Sequence, residues 1–260
     1  MADHDNDTII VSSDGGVRTV TFNRRDKKNS LTQDMYARLT DELTTAAEDP
    51  VVRAFVFTGA GETFTSGNDV ADFLRFQEIK AELPAFRFIE TLPRFPKPLL
   101  AAVNGLAVGV GTTMLLHCDM VFASPNAVFS VPFARLGLCP EAGSSALLPR
   151  LAGMQRASEL LLLGEPFDAE RAREIGLVNE IVPAADLSAR VAERAAAVAK
   201  LPPASVRATK ALIRGSVGAG LQDVMEHERT VFHERLASPE VAEAATAFLE
   251  KRAPDFSRFE

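Results

Sequence analysis

Leu99-Leu100-Ala101-Ala102-Val103-Asn104-Gly105-Leu106-Ala107-Val108-Gly109-Val110-Gly111-Thr112-Thr113-Met114-Leu115 is the stretch whose reading decides the fold. The apolar run Leu99 to Val103 has the length and continuity of a buried strand, and Asn104-Gly105 ends it. Gly109 and Gly111 then open a segment with helical spacing through Met114 and Leu115. A helix start opened by glycines leaves backbone N–H groups facing a cleft with no side chain in the way. That is an anion or oxyanion site in outline. Tight packing of a strand on a helix also demands small residues here, so both readings stand. A dinucleotide site is disfavoured, because Gly109-Val110-Gly111-Thr112-Thr113-Met114 lacks the last glycine of that fingerprint.

Further along comes Leu138-Cys139-Pro140-Glu141-Ala142-Gly143, with Phe133, Leu136 and Leu147 nearby in sequence. A carboxylate in apolar company has a raised pKa and can shuttle a proton. Alternatively, Pro140-Glu141 opens a helix near Gly143, where an acidic residue complements the macrodipole. A second glycine loop, Thr63-Phe64-Thr65-Ser66-Gly67-Asn68-Asp69-Val70, runs into a short helical segment expected at Asp69 to Phe76. If it shares a cleft with Gly109-Val110-Gly111, the N–H groups of Ser66 and Val110 converge on one carbonyl oxygen and stabilise an enolate. Removing one such donor costs about 3 to 4 kcal/mol of transition-state stabilisation.

Working outward, Thr8 to Ser12 and Val17 to Phe22 flank Asp14-Gly15-Gly16, a hairpin signal. Arg24, Arg25, Lys27 and Lys28 form a charged loop, either a phosphate receptor or simply a solvated turn. Thr32 is an N-cap for a helix with Met35, Leu39 and Leu43 on one face, stopped at Asp49-Pro50. Val51 to Thr58 reads as strand, and Leu83 to Leu92 as a helix ended by prolines. Ser144 to Leu151 and Met154 to Leu163 are helical, the latter closed by Gly164. Asp168 caps a further short helix before the strand Val178 to Val182. From Ala184 the pattern is helical to Lys251, broken at Pro202-Pro203, Gly215 to Gly220 and Pro239. The expected organisation is a layered α/β core over residues 1–200 and a helical region over 201–260.

With 260 residues, 47% of them hydrophobic and 24% charged, the chain can bury a sizeable core. A net charge of −7 argues against a nucleic-acid partner, since phosphate neutralisation needs a basic surface. Cys118 and Cys139 are too few for a disulfide framework, and His4, His117, His227 and His233 have no metal-ligand spacing. Asp119 reads as structural rather than catalytic. No apolar run reaches the length of a membrane span. The polar segment Met1 to Asp7 does not look like a targeting sequence, and Ser257-Arg258-Phe259-Glu260 is not the peroxisomal tripeptide. The expected location is cytoplasmic.

Several segments together carry a resemblance. Phe22-Asn23-Arg24, Asn29-Ser30-Leu31, Thr58-Gly59-Ala60-Gly61, Phe64 to Asp69, Lys97 to Gly105, Cys118-Asp119, Leu136-Gly137-Leu138, Leu148-Pro149-Arg150, Gly164 and Ile175 to Asn179 are similar to the enoyl-CoA hydratase/isomerase, or crotonase, superfamily. The resemblance covers nearly the whole chain. It implies a spiral of repeated ββα units, a C-terminal helical region that forms a homotrimer or a dimer of trimers, and an acyl-CoA thioester ligand. It further implies an oxyanion hole at Ser66 and Val110, with Ser66, Gly67, Asn68, Asp69 and Val70 along the coenzyme A site. Arg24 and Lys28 are candidate phosphate contacts. No metal or redox cofactor is implied, coenzyme A being part of the substrate.

Hydratases of this superfamily carry two glutamates that hold a water; the matching positions here are Thr113 and Phe133. The run Val131 to Ser145 instead resembles the peroxisomal type of Δ3,Δ2-enoyl-CoA isomerase, whose single catalytic glutamate matches Glu141. The expectation is therefore an isomerase in which Glu141 moves one proton and Phe133 lines an apolar acyl pocket. Hydratase-like enzymes, isomerases of ring or aromatic acyl-CoAs, and a non-catalytic acyl-CoA-binding protein are the alternatives.

Overall fold

A computed structural model describes residues 7–69, 83–218 and 220–259. Val70 and the helical segment expected to follow it lie outside these residues. The chain opens with the expected hairpin, β1 (Ile9–Asp14) antiparallel to β2 (Val17–Phe22). Helix α1 (Gln33–Glu48) follows, and the Thr32 side chain accepts from the Met35 N–H as its cap. Its apolar stripe of Met35, Leu39 and Leu43 is buried, each side chain contributing about 1.5 to 3 kcal/mol by leaving water.

Three strand pairs then repeat one pattern: β3 (Ala54–Gly59) with β4 (Thr63–Thr65), β5 (Leu99–Val103) with β6 (Leu106–Val108), and β7 (Met120–Ala123) with β8 (Val128–Ser130). The first member of each pair joins a six-stranded sheet in the order β1-β2-β3-β5-β7-β10, closed by β10 (Glu180–Ile181). The second joins a four-stranded sheet, β4-β6-β8-β9, closed by β9 (Phe167–Asp168). Each turn thus adds one parallel strand to each sheet, and helix α2 (Pro84–Thr91) follows the first of these turns. This is the expected spiral of ββα units.

Alternate residues of β3, β5 and β7 feed two cores. Phe55, Phe57, Leu99, Ala101, Val103, Val121 and Ala123 face the larger one. Ala54, Val56, Leu100, Ala102 and Phe122 face the other, where Val182, Leu187 and Val191 cover them. Strands buried on both faces read as continuous apolar runs, which is why Leu99 to Val103 was legible. Observed β3 starts at Ala54, three residues later than the sequence pattern, because Pro50 and Val51 form an exposed turn.

After β6 comes α3 (Val110–Thr113), one helical turn that tightens into a 3₁₀ turn over Met114–His117. Helices α4 (Ser144–Ala152) and α5 (Met154–Leu163) follow β8, and Gly164 closes α5 with φ +59°. Asp168 caps α6 (Ala169–Glu174) through the Arg171 N–H. Four helices follow among the described residues: α7 (Leu187–Ala199), α8 (Pro203–Gly218), α9 (Leu221–Leu236) and α10 (Pro239–Leu249). The break expected from Gly215 is displaced, since α8 continues to Gly218 at the modest cost of a glycine inside a helix.

Asp119 ties this helical region to the sheet. Its carboxylate accepts from the Leu99 N–H at 2.8 Å, Lys210 Nζ at 2.7 Å and Arg214 Nη2 at 3.0 Å. Arg214 also donates to the carbonyls of Leu116, His117 and Cys118.

Candidate active site

Glu141 is buried, and it does not cap the helix that follows it. Helix α4 has Gly143 as its N-cap residue and no acidic side chain in its first turn. The cap comes from α9, where Glu228 accepts from the Gly143 N–H at 2.6 Å, the Ser145 N–H at 3.0 Å and Ser145 Oγ at 2.5 Å. Glu141 is thereby released from the helix-opening reading. Thr113 Oγ1 donates to its Oε1, and Oε2 is buried with no partner among the described residues. Burial, reinforced by the negative charge of Glu228 and opposed by the Thr113 hydrogen bond, pushes the Glu141 carboxyl up to about 8.

The turn that carries Glu141 is unusual. Ala142 and Gly143 both have positive φ, +57° and +71°, a conformation that costs energy at a non-glycine residue. The Ala142 carbonyl accepts from His117 Nε2 at 2.8 Å. Burial pulls His117 down to about 4, so its ring is neutral at pH 7 and donates this bond from Nε2. A small cleft of about 10 Å³, room for about one water, is lined by Phe86, Ile89, Glu90, Glu141, Ala142, Met225, Glu228 and Arg229. Thr113 and Phe133 are both buried; Phe133 packs into the same apolar core as Val110, Leu138 and Ala142.

The loops at Ser66 and Val110 lie against each other. Gly67, at φ +84°, sits so close to Val108 that a Cβ there would be 2.6 Å from its carbonyl oxygen. Gly109 adopts φ +57° and donates its N–H to Ser130 O, leaving the Val110 N–H at the start of α3 without a protein acceptor among the described residues. The expected role of Ser66 requires correction. Its N–H donates to the Lys28 carbonyl at 3.0 Å, because the left-handed turn at Lys28 and Asn29 carries that loop up to the strand end. The Gly67 N–H is likewise taken, by Thr65 Oγ1. Asn68 is the residue of this loop whose N–H has no protein acceptor among the described residues.

Asn68 is held firmly. Tyr36 donates its hydroxyl proton to Asn68 Oδ1, and Leu31 bridges to the loop through the Gly67 carbonyl and the Asp69 N–H. The Arg24 guanidinium is engaged by Asp69 at 2.5 Å and by Ser30 Oγ at 2.9 Å. Arg24 therefore braces the loop. The Lys28 side chain is exposed.

Sequence reasoning missed Glu228, Tyr36 and the donor role of Thr113. Glu228 had a signal: Leu221, Met225, Phe232 and Leu236 form the buried stripe of α9, and Glu228 falls on that stripe as its one acidic member.

Comparison with known proteins fits this geometry. Residues 12–258 match the family model described as enoyl-CoA hydratase/isomerase. The chain is 40% identical over 250 residues to "Enoyl-CoA delta isomerase 2" of Rattus norvegicus, covering 94% of this chain and 64% of that protein's length. It is 36% identical to the "2,3-dehydroadipyl-CoA hydratase" of Escherichia coli (strain K12), over 95% of this chain and 98% of the other. Among solved structures, an enoyl-CoA hydratase/isomerase from Pseudoalteromonas atlantica T6c superimposes with a TM-score of 0.91 at 43% identity, covering 96% of this chain and 100% of that one. A spiral of ββα units, two apposed glycine loops and a match running from the first hairpin to the last residues lead to one conclusion: the chain belongs to the enoyl-CoA hydratase/isomerase family.

Proposed function

We propose that this enzyme moves the double bond of an enoyl-CoA from C3 to C2 of the acyl chain. Glu141 takes a proton from C2 and returns it at C4, and the N–H groups of Asn68 and Val110 hold the thioester oxygen while it carries the dienolate charge. The observation that supports this reading is the state of Glu141: a buried carboxyl raised to about 8, one oxygen fixed by Thr113, the other without a partner among the described residues. A base poised near the working pH gives about 10²- to 10⁴-fold of rate. One carboxyl suffices, because the proton is removed and restored on the same face.

Hydration by two carboxyls has less support. Thr113 and Phe133 cannot act as acid or base. At the cleft, both oxygens of Glu228 are engaged by Gly143 and Ser145, and Glu90 faces Arg229 at 3.8 Å. The delta isomerase relative favours isomerisation; the hydratase relative makes hydration the reaction to test beside it. The test is the steady-state rate on a medium-chain 3-enoyl-CoA, followed as the conjugated thioester forms, with hydration of a 2-enoyl-CoA measured in parallel. The expected result is isomerisation that collapses in Glu141→Gln, with slight hydration in both proteins. Brisk hydration, or isomerisation indifferent to Glu141, overturns the reading.

A further inference from the structure

The helical region after residue 200 supplies one buried carboxylate to the neighbourhood of Glu141, and the reaction proposed above gives that carboxylate no chemical step. We infer that Glu228 is a positioning residue for Glu141, clamping the Ala142-Gly143 turn through the N–H of Gly143 and the N–H and hydroxyl of Ser145. The inference rests on Glu141 being the catalytic base.

Three observations converge on it. First, the clamped turn is strained: Ala142 holds φ +57° inside the core, and such a residue persists only where its surroundings over-determine it. The surroundings are visible. His117 holds the Ala142 carbonyl from one side, and Glu228 holds the next N–H from the other. Second, Gly143 sits at φ +71° with Leu221 Cδ1 only 2.6 Å from where a Cβ would lie, so helix α9 seats directly on the turn. Third, Glu228 and Glu141 line the same small cleft, which puts a fixed negative charge beside the group that must change protonation during turnover.

The consequences separate geometry from charge. Losing the clamp lets the turn relax and misaims Glu141, which lowers kcat by about tenfold to a hundredfold with little change in KM. Losing the charge makes ionisation of Glu141 easier, so the rising limb of kcat/KM against pH moves to lower pH. The other groups facing this place do not mimic the shift. His117 is neutral at the working pH, Cys139 is held up at about 11 mainly by burial, Arg229 is paired with Glu226 at 2.7 Å and faces Glu90 at 3.8 Å, and Arg235 is paired with Glu240 at 2.7 Å. His233 lies against the Phe86 ring.

The test compares wild type, Glu228→Gln, Glu228→Asp, Ser145→Ala and Glu141→Gln for kcat, KM and the pH profile on a 3-enoyl-CoA. Expected are a lowered kcat and an acid-shifted limb in Glu228→Gln, with the limb restored in Glu228→Asp, which keeps the charge. Ser145→Ala, which removes one of the two hydrogen bonds to Glu228 Oε1, should lower kcat without moving the limb. If Glu228→Gln does not fold, as judged by circular dichroism, Glu228→Asp and Ser145→Ala carry the test through kcat alone. A limb and kcat unchanged in every Glu228 and Ser145 variant, with Glu141→Gln inactive, overturns this inference and leaves the isomerase reading standing. An active Glu141→Gln overturns the isomerase reading itself.

Discussion

Thr113 donates its hydroxyl proton to Oε1 of Glu141 across 28 residues of chain, with both side chains buried. The bond favours the ionised carboxylate and therefore opposes the upward push of burial. Replacing Thr113 by Val removes the donor while keeping the shape. The Glu141 carboxyl then rises further, the limb of kcat/KM moves to higher pH, and the rate at pH 7 falls by about tenfold, the equivalent of one hydrogen bond. Thr113→Ser keeps a hydroxyl and should restore the limb. A pH profile of the three proteins decides the matter; a Val variant whose limb stays in place would detach Thr113 from the chemistry.

Glu141 also makes stability depend on pH. Its folded value, about 8, lies above the ordinary carboxyl value of 4.5. For a raised pKa the stabilising contribution is complete below the unfolded value and is lost as pH rises through the folded one, because the unfolded chain can ionise the carboxyl while the fold resists. Glu141→Gln has no such dependence. Thermal melts from about pH 5 to about pH 9 should therefore show wild type losing ground steadily to Glu141→Gln. A pH-independent difference between the two would mean that Glu141 ionises freely in the folded chain.

What the sequence made legible follows from locality. Leu99 to Val103 announced a strand buried on both faces, Thr32 and Asp168 announced helix starts, and Gly164 announced a helix end, since each signal lies within a turn of what it specifies. Glu141 was conspicuous because its neighbours are apolar. The choice between helix opener and buried acid needed Glu228, which arrives 85 residues after Gly143 to take the cap. Ser66 went wrong for the same reason. Nothing near it in sequence reveals that the Lys28 carbonyl, 38 residues earlier (66 − 28), claims its N–H. Hydrogen bonds between distant segments decide which backbone donors stay free, and periodicity does not record them.

Gly67 holds the two glycine loops together, and its substitution should be felt in catalysis. An alanine there would have φ +84° and a Cβ 2.6 Å from the Val108 carbonyl oxygen, so the loops must part. If Asn68 and Val110 share the thioester oxygen, kcat falls by about 10²- to 10³-fold, the loss of one oxyanion donor. Gly15→Ala is the control: φ there is +54°, nothing lies within 4 Å, and the hairpin turn is remote from the cleft, so backbone strain alone is tested. Turnover in Gly67→Ala equal to that in Gly15→Ala would remove the loop contact from the mechanism.

Asp119 anchors α8 by charge, and the cost of removing it should exceed that of an exposed ion pair. Lys210 is buried, with its pKa lowered mainly by burial and held up by Asp119. Asp119→Asn keeps an acceptor for the Leu99 N–H but leaves the Lys210 ammonium without its counter-charge, a change that typically costs about 3 to 5 kcal/mol. Urea denaturation should show that loss. The double variant with Lys210→Met should recover part of it, because no buried charge is then left unpaired and the two effects cannot add. Strict additivity would place the stabilising partner of Asp119 elsewhere, with Arg214, which meets the other carboxylate oxygen at 3.0 Å, the next residue to replace.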